Sequence, residues 1–373
     1  MTKIRILHFY KKSILDSYGG VEKFIDTLCQ GTYELNVENI LFSLSKKNLN
    51  QEINLKKYSI INAKEDIYIF STGFSFEAFS KFKKLSESVD IIHYHFPNPF
   101  ADILHYFCGV KKPFLITYHS DIIKQKLILL IYKFLMNKFL KASERIVVTS
   151  YNYLNSSPFL GRYHNKVEVI PIGIDFQNYP KIDKKIFENF KKRFKEPFFL
   201  FIGALRYYKG LEFALRAVVG TDFKLVIAGD GELKFKLLKL ANNLKLHNVT
   251  FLGEITDKEK VCLLNLCTCF LFPSNRRSEA FGISLLEAAA FGKPMISCEI
   301  GTGTSFINIH NKTGLVVKPN SPSDIHNAMK FIIANPEISN KMSFNARKRY
   351  LEIFTAEKQA KEYNRIYRNI LNI

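Results

Sequence analysis

Residues 269–297 read CFLFPSNRRSEAFGISLLEAAAFGKPMIS. An apolar strand, CFLFPS (269–274), runs into a polar loop and then a small-residue helix from about Gly282 to Phe291, with Gly292 and Pro294 as stop signals. Another apolar run, PMISC (294–298), follows at once. Glu279 sits on the loop before the helix, and Glu287 lies just past its first turn. The amides of Phe281, Gly282, Ile283 and Ser284 fall at the helix start, where they lack intrahelical acceptors. Together with the positive end of the helix dipole they suit a phosphate. A carboxylate on either side of that anion site suits hydroxyl-rich groups, which is the outline of a nucleotide sugar.

Working outward, the same rhythm recurs. IRILHF (4–9), NILFSL (39–44), IYIFS (67–71), DIIHYHF (90–96), PFLITYH (113–119) and RIVVTS (145–150) read as buried strands with helical stretches between several of them. KVEVIPIGIDFQNYP (166–180) ends this first series. A charged stretch, KIDKKIFENFKKRFKEP (181–197), reads as a linker with a short helix. The pattern then restarts with FFLFIG (198–203), FKLVIAG (223–229), VTFLG (249–253), CFLFPS and PMISC. Near-continuous apolar strands alternating with helices indicate an α/β chain with parallel sheets. Two doubly wound domains are expected, 1–180 and 181–354, with a helix over about 355–373 that is expected to cross back to the first.

Composition sets the bounds. The chain has 373 residues, 47% of them hydrophobic, which supports real cores rather than disorder. The six cysteines (29, 108, 262, 267, 269 and 298) match no zinc spacing and read as buried core residues in a reducing, cytosolic setting. MTKIRILHFY reads as a first strand and not a signal peptide. The formal net charge is +20 and there are 34 phenylalanines. Such a surface attracts phosphates, nucleic acid or anionic membrane. No recognition helix or Cys/His finger accompanies the charge, so no nucleic acid is expected as a partner. KQKLILLIYKFLMNKFLK (124–141) is interrupted by lysines and too short an apolar run to span a bilayer; it suits a helix lying on a membrane or an ordinary helix packed on a sheet.

Four further constellations carry possible chemistry. Gly19 and Gly20 lie between the first strand and the first helix, where glycines let amides approach a phosphate or simply make a tight turn. His119 follows the strand of TYHSDI (117–122), at the end where α/β ligands bind; it reads either as a hydrogen-bond donor to a sugar, water or oxygen, or as a buried structural histidine. His93 and His95 share one side of a strand, and with no third ligand nearby in sequence they suit lining or packing better than a metal. In FIGALRYYKGLEFALRA (201–217), Arg206 and Lys209 stand at a sheet mouth beside a helix start and suit a diphosphate. AGDGEL (228–233) reads mainly as a tight connection.

Taken in order, GGVEKF, TYHSD, VIPIGID (169–175), GALRYYKG (203–210), AGDGEL, SEAFGISLLEAAAFGKP and TGLVV (313–317) resemble the retaining glycosyltransferases of family 4, over nearly the whole chain. LRYYKG with EIGTGTSFIN (299–308) resembles bacterial members that build O-antigen, capsule or related surface glycans. The resemblance implies a GT-B fold, two Rossmann-like domains facing a central cleft. It implies that Glu279 contacts hydroxyls of the transferred sugar, that Glu287 holds the ribose, and that Phe281, Gly282, Ile283 and Ser284 meet phosphate or sugar through their backbone. Arg206 and Lys209 would neutralise the leaving diphosphate, His119 would sit beside the reacting carbon, and Gly19 and Gly20 would face the diphosphate. Many members carry Arg directly after the glycine; here that position is Ala204, and Arg206 is the candidate replacement.

The expected reaction is hexosyl transfer from a nucleotide sugar, GDP-mannose first and UDP-hexoses next, to a lipid-linked oligosaccharide at the cytoplasmic face of the plasma membrane. No metal and no other cofactor is expected, because no DxD-type pair is placed to hold a metal and cations with helix-start amides can take the developing charge. A GT-B nucleotide-sugar epimerase, a phosphorylase-like enzyme and a basic nucleic-acid-binding protein are the competing readings.

Overall fold

The computed structural model describes residues 2–17, 19–47, 52–70, 72–122 and 126–373, the side chains of 126–131 excepted. The chain divides into two compact units, residues 1–173 with 356–373, and residues 174–355.

The first unit carries β1 (Ile4–Phe9), β2 (Val37–Ser45), β3 (Ile53–Asn54), β4 (Tyr58–Lys64), β5 (Ile67–Ile69), β6 (Thr72–Phe74), β7 (Ile91–Phe96), β8 (Phe114–Tyr118), β9 (Arg145–Val148) and β10 (Val167–Val169). Eight of them form one sheet in the order β10-β9-β8-β7-β1-β2-β4-β3, parallel except for β3 at the edge. β1 has β2 on one side and β7 on the other, so strand order reverses at the β1/β7 boundary. In open α/β sheets that reversal, at the carboxyl ends of the strands, is where ligands bind.

IYIFS departs from its expected place. Residues 67–69 pair antiparallel with 72–74 in a separate hairpin, and Ile67, Tyr68, Ile69 and Phe70 are exposed. An apolar run alone does not distinguish a core strand from a surface hairpin. Its place in the sheet is taken by YSIINAK (58–64), whose polar residues disguise it: Asn62 accepts a hydrogen bond from Ser43 on β2 at 2.6 Å, in the sheet interior.

The helix Ala356–Leu371 belongs to the first unit. It buries Ala360, Tyr363, Ile366 and Tyr367, and lies so close to the helix Gly20–Tyr33 that a Cβ on Gly31 would stand 2.8 Å from the Ala360 methyl. The C-terminal part of the helix Lys126–Ala142 buries Met136, Phe139 and Leu140 and turns Phe134 to solvent. Lys124, part of the basic membrane segment read from sequence, lies outside the described residues.

The second unit carries β11 (Phe198–Ile202), β12 (Lys224–Ala228), β13 (Val249–Gly253), β14 (Cys269–Phe272), β15 (Met295–Cys298) and β16 (Gly314–Val317), all parallel, in the order β13-β12-β11-β14-β15-β16. Here the reversal falls between β11 and β14. Residues 174–180, expected in the first domain, belong to this unit. Ile174 bridges to Thr355, Phe176 packs on Phe291 beneath the Arg347 guanidinium, and Tyr179 bonds Glu287. A polar, proline-ended segment gives no sequence sign of which core it will join.

Three glycines set the loops at this reversal. Gly203, Gly229 and Gly231 have φ of 156°, 130° and 157°, and the loops after β11 and β12 pack backbone against backbone, with the Leu205 amide donating to the Asp230 carbonyl at 2.9 Å. A Cβ on Gly229 would overlap the Gly203 carbonyl oxygen. Gly229→Ala is therefore expected to cost about 2–3 kcal/mol, strain plus displaced backbone, seen as a lower urea midpoint. An unchanged midpoint would mean the two loops are not held together.

Candidate active site

At the β11/β14 reversal, two loops are stitched face to face. The Asn275 amide donates to the Tyr208 carbonyl at 2.9 Å, the Tyr207 hydroxyl meets Ser278 Oγ at 2.8 Å, and Arg276 stacks over the Tyr207 ring. Gly210, with φ of 65°, is pressed so closely on the Pro273 carbonyl that no side chain fits. These contacts deliver Lys209 to Glu279: Nζ and Oε2 are 2.5 Å apart, both side chains being about one-tenth exposed (10% and 11%). Ser274 Oγ donates to the same oxygen at 3.0 Å, and the ammonium also lies over the Phe272 ring at 4.7 Å. Oε1 of Glu279 has no protein partner among the described residues.

The helix that follows is Ile283–Ala290, capped by Gly282 at φ 100°. A Cβ on Gly282 would stand 3.2 Å from the Phe272 ring, so this sharp entry needs glycine for both conformation and space. Leu286 makes the first helical bond, to the Gly282 carbonyl at 3.0 Å, which leaves the amides before it at the positive end of the dipole without helical acceptors. Phe281 itself is buried, and Gly303 packs so closely on it that a methyl group there would overlap the ring.

Glu287 is held in the same manner as Glu279. Its Oε1 accepts from Tyr179 Oη at 2.7 Å and from Lys260 Nζ at 2.9 Å, while Oε2 has no protein partner among the described residues. Lys260 also pairs with Asp257 at 2.8 Å. Burial pulls the Lys260 ammonium down, but the carboxylates of Glu287 and Asp257 outweigh it and raise the net value. Burial, then the charge of Glu287, raises the Tyr179 phenol, so it stays a donor. Neither Lys260 nor Tyr179 stood out in the sequence; the only signal was a lysine inside the apolar helix run KVCLL.

Arg206 is not part of this cluster. It is exposed, caps the turn Tyr207–Lys209, and its guanidinium has no hydrogen-bond or ion-pair partner among the described residues. Lys209 is the cation that meets the glutamate.

Gly19, Gly20 and His119 belong to the first unit. Gly19 is the N-cap of the helix Gly20–Tyr33 at φ −85°, a conformation open to any residue, and the atom nearest to where a Cβ would stand is the mobile end of the Glu22 side chain, at 2.5 Å. His119 lies just past β8 and is 7% exposed. It joins a buried imidazole ladder. His119 Nε2 and His95 Nδ1 are 3.1 Å apart, His95 Nε2 and His8 Nδ1 are 3.1 Å apart, and His8 Nε2 meets Asn39 Oδ1 at 3.0 Å. His93 stacks beside His95 at 4.4 Å and uses its own two nitrogens on Tyr367 Oη and Thr117 Oγ1, each at 2.7 Å. His8, from β1, is the third histidine that sequence did not place near His93 and His95. Every ring nitrogen of these three already has a hydrogen-bond partner, so the trio reads as a polar network within the sheet.

Two sheets of mainly parallel strands, each with one reversal of strand order, are the arrangement of two Rossmann-like domains in tandem. Residues 18–178 match the family model described as Glycosyltransferase Family 4, and 182–349 that of Glycosyl transferases group 1. The chain is 44% identical over 353 residues to D-rhamnosyltransferase WbpZ of Pseudomonas aeruginosa, covering 95% of this chain and 93% of that one. It is 40% identical over 368 residues to O-antigen chain mannosyltransferase C of Escherichia coli, covering 99% of each. Sucrose-phosphate synthase from Thermosynechococcus elongatus shares the fold, with a TM-score of 0.81 at 19% identity over 99% of this chain and 100% of that one; so does HepE of Anabaena, solved with UDP, at 0.77 and 17% over 98% and 99%. The chain belongs to glycosyltransferase family 4.

Two outcomes test this geometry. Lys260 and Glu287 are 9% and 7% exposed, so removing one partner leaves a buried charge. Lys260→Met is expected to cost about 3 kcal/mol of unfolding free energy, and adding Glu287→Gln to restore part of it. A double variant whose loss equals the sum of the Lys260→Met and Glu287→Gln losses would show that the pair is not coupled. Burial also lowers His8 to about 4 and His119 to about 3. Their unfolded value is near 6.5, so below that pH the unfolded chain binds more protons than the folded one. The stability they contribute is full above about pH 6.5 and is lost as pH falls toward 4 and 3, at about 1.4 kcal/mol per histidine per unit. A urea midpoint that does not fall between pH 7.5 and 5 would mean these rings are not buried neutral.

Proposed function

We propose that the protein is a retaining hexosyltransferase that moves a mannosyl or related hexosyl group from a nucleotide sugar to a lipid-linked glycan in surface-polysaccharide synthesis. One observation carries the reading of the site. Glu279 and Glu287 are each anchored through one oxygen by a buried lysine and a hydroxyl, and each keeps its other oxygen without a protein partner. Between them in the chain stands the helix start with its free amides. A hydroxyl donor on each side of a phosphate is the pattern such a site accepts, and a glycosyl nucleotide diphosphate has it. Glu279 takes hydroxyls of the transferred sugar, Glu287 takes the ribose, and Phe281, Gly282, Ile283 and Ser284 meet phosphate through their amides. The names of the two bacterial relatives, a mannosyltransferase and a D-rhamnosyltransferase, support a mannose-like sugar, and HepE, solved with UDP, supports a nucleotide-bearing donor.

Cleaving the sugar–phosphate bond builds negative charge on the leaving oxygen. Lys209, poised on Glu279, supplies a cation, and the helix-start amides supply fixed dipoles. Arg206, exposed and uncommitted, adds long-range attraction. No divalent metal is required in this scheme. The acceptor hydroxyl attacks from the face that the diphosphate leaves, and the departing phosphate takes its proton. The acceptor reaches the enzyme from an anionic membrane surface, toward which the basic chain is attracted. The exposed apolar tip Ile67–Phe70 and the exposed Phe76 and Phe134 support that reading, and no helix among the described residues is long and apolar enough to cross a membrane.

Purified protein incubated with GDP-mannose, UDP-hexoses and membrane lipid extract in EDTA is expected to release nucleotide from one donor. Glu279→Ala is expected to lose nearly all of it, and Glu287→Ala to raise donor KM more than it lowers kcat. Near wild-type turnover in Glu279→Ala would overturn the site assignment. Loss of activity in EDTA restored by Mg²⁺ or Mn²⁺ would overturn the metal-free scheme.

A further inference from the structure

We propose that Asn39, acting through His8 and His95, fixes the tautomer of His119, so that His119 offers a bare Nδ1 as the hydrogen-bond acceptor for a sugar hydroxyl. His8, His95 and Asn39 are then positioning residues that act only through His119.

The argument begins at the amide. Asn39 Nδ2 lies 3.1 Å from the Cys29 carbonyl and 3.4 Å from the Val37 carbonyl, and both of these can only accept. It also meets Thr32 Oγ1 at 3.0 Å, whose own proton goes to the Leu28 carbonyl at 2.8 Å. The amide orientation is thereby set, with Oδ1 toward His8 Nε2. An amide oxygen has no proton to give, so His8 carries its proton on Nε2. Its Nδ1 is then bare and must accept from His95 Nε2. His95 Nδ1 is bare in turn and must accept from His119 Nε2. With its proton on Nε2, neutral His119 has only the Nδ1 lone pair left. That atom has no protein partner among the described residues.

Burial enforces the neutral state on which this logic depends. It lowers His8 to about 4, His119 to about 3, and His95 well below the ordinary value. The three donor–acceptor pairs point the same way, so each bond polarises the next and the electron-rich end of the series falls on His119 Nδ1. Phe24 holds the outer ring edge-on, with centroids 4.9 Å apart. The ladder does not carry a proton away, because it ends on a primary amide that takes none near neutral pH. Its output is an oriented acceptor and not a base. That reverses the donor role expected of His119 from the sequence.

The identity of the ligand as a sugar rests on the proposed transferase function; the tautomer assignment does not. The test therefore reads the tautomer first. Two-bond ¹H–¹⁵N spectra of the ¹⁵N-histidine-labelled full chain at pH 7.5, without donor, are expected to show His119 protonated on Nε2 by at least about tenfold, the worth of one buried hydrogen bond. His8→Gln, whose amide can both accept from His95 and donate to Asn39, is expected to keep that signature and to keep kcat/KM within about threefold. His8→Leu removes the link and is expected to give a tautomer mixture at His119 and about a tenfold loss in kcat/KM. A wild-type His119 protonated on Nδ1 would overturn the proposal, whether or not His8→Leu folds. So would a His8→Leu protein with unchanged tautomer and unchanged kcat/KM. If the signature holds but no nucleotide sugar is turned over, the transferase reading fails and the ladder stands.

Discussion

Charge buried at the end of a sheet is the constraint on which the second unit depends. A carboxylate cannot be taken from water without a partner, and among its described residues this unit buries two glutamates, one on each side of a helix start. Each is matched by its own lysine: Lys209 comes from the loop after β11, and Lys260 from a neighbouring helix. The match is deliberately incomplete, since each pair engages one oxygen of its glutamate. The geometry that stabilises the folded unit therefore also leaves one oxygen of each glutamate without a protein partner among the described residues. Everything else around the reversal serves this placement. Glycine-only backbones at 203, 229 and 231 allow the loops to touch, Gly210 presses against Pro273, and Tyr207 and Asn275 tie the two loops together.

The first unit solves a related problem with neutral groups. Its polar residues lie within the sheet layer, where water does not reach, and every imidazole nitrogen of the three innermost histidines is bonded to another side chain. Neutral networks of this kind avoid the cost of buried charge but demand that each proton be in the right place. One misplaced proton would set two donors, or two lone pairs, against each other.

Much of this was legible in the sequence because it is written in runs. The strands with continuous apolar character, β1, β7, β8, β11, β12, β14 and β15, declare themselves, and the Gly282 helix start follows from small residues after a polar loop. Glu279, Lys209 and Glu287 were visible because they sit in the loops and the helix that directly follow those strands. What was hidden depends on residues far apart in the chain. β4 was hidden by polar residues that find partners only across the sheet, and the IYIF hairpin was misplaced because an apolar run does not report its own exposure. Tyr179, Lys260, His8 and Asn39 became readable only once folding brought them to Glu287 and to His119. Arg206, a cation that spacing favoured, is exposed and stands outside the Lys209–Glu279 pair.

The helix Ala356–Leu371 has a consequence for how the molecule is made. It packs on the sheet that begins at residue 4, yet the ribosome reaches it only after the whole second unit has been synthesised. Until then His93 and Thr117 lack the hydroxyls of Tyr367 and Tyr363, and the helix Gly20–Tyr33 lacks the cover that Ala360 gives it at Gly31. The first unit therefore waits, unfinished, while the second folds. A nascent chain interrupted before residue 356 would carry a complete second unit and an open first one, a surface that chaperones and proteases can recognise.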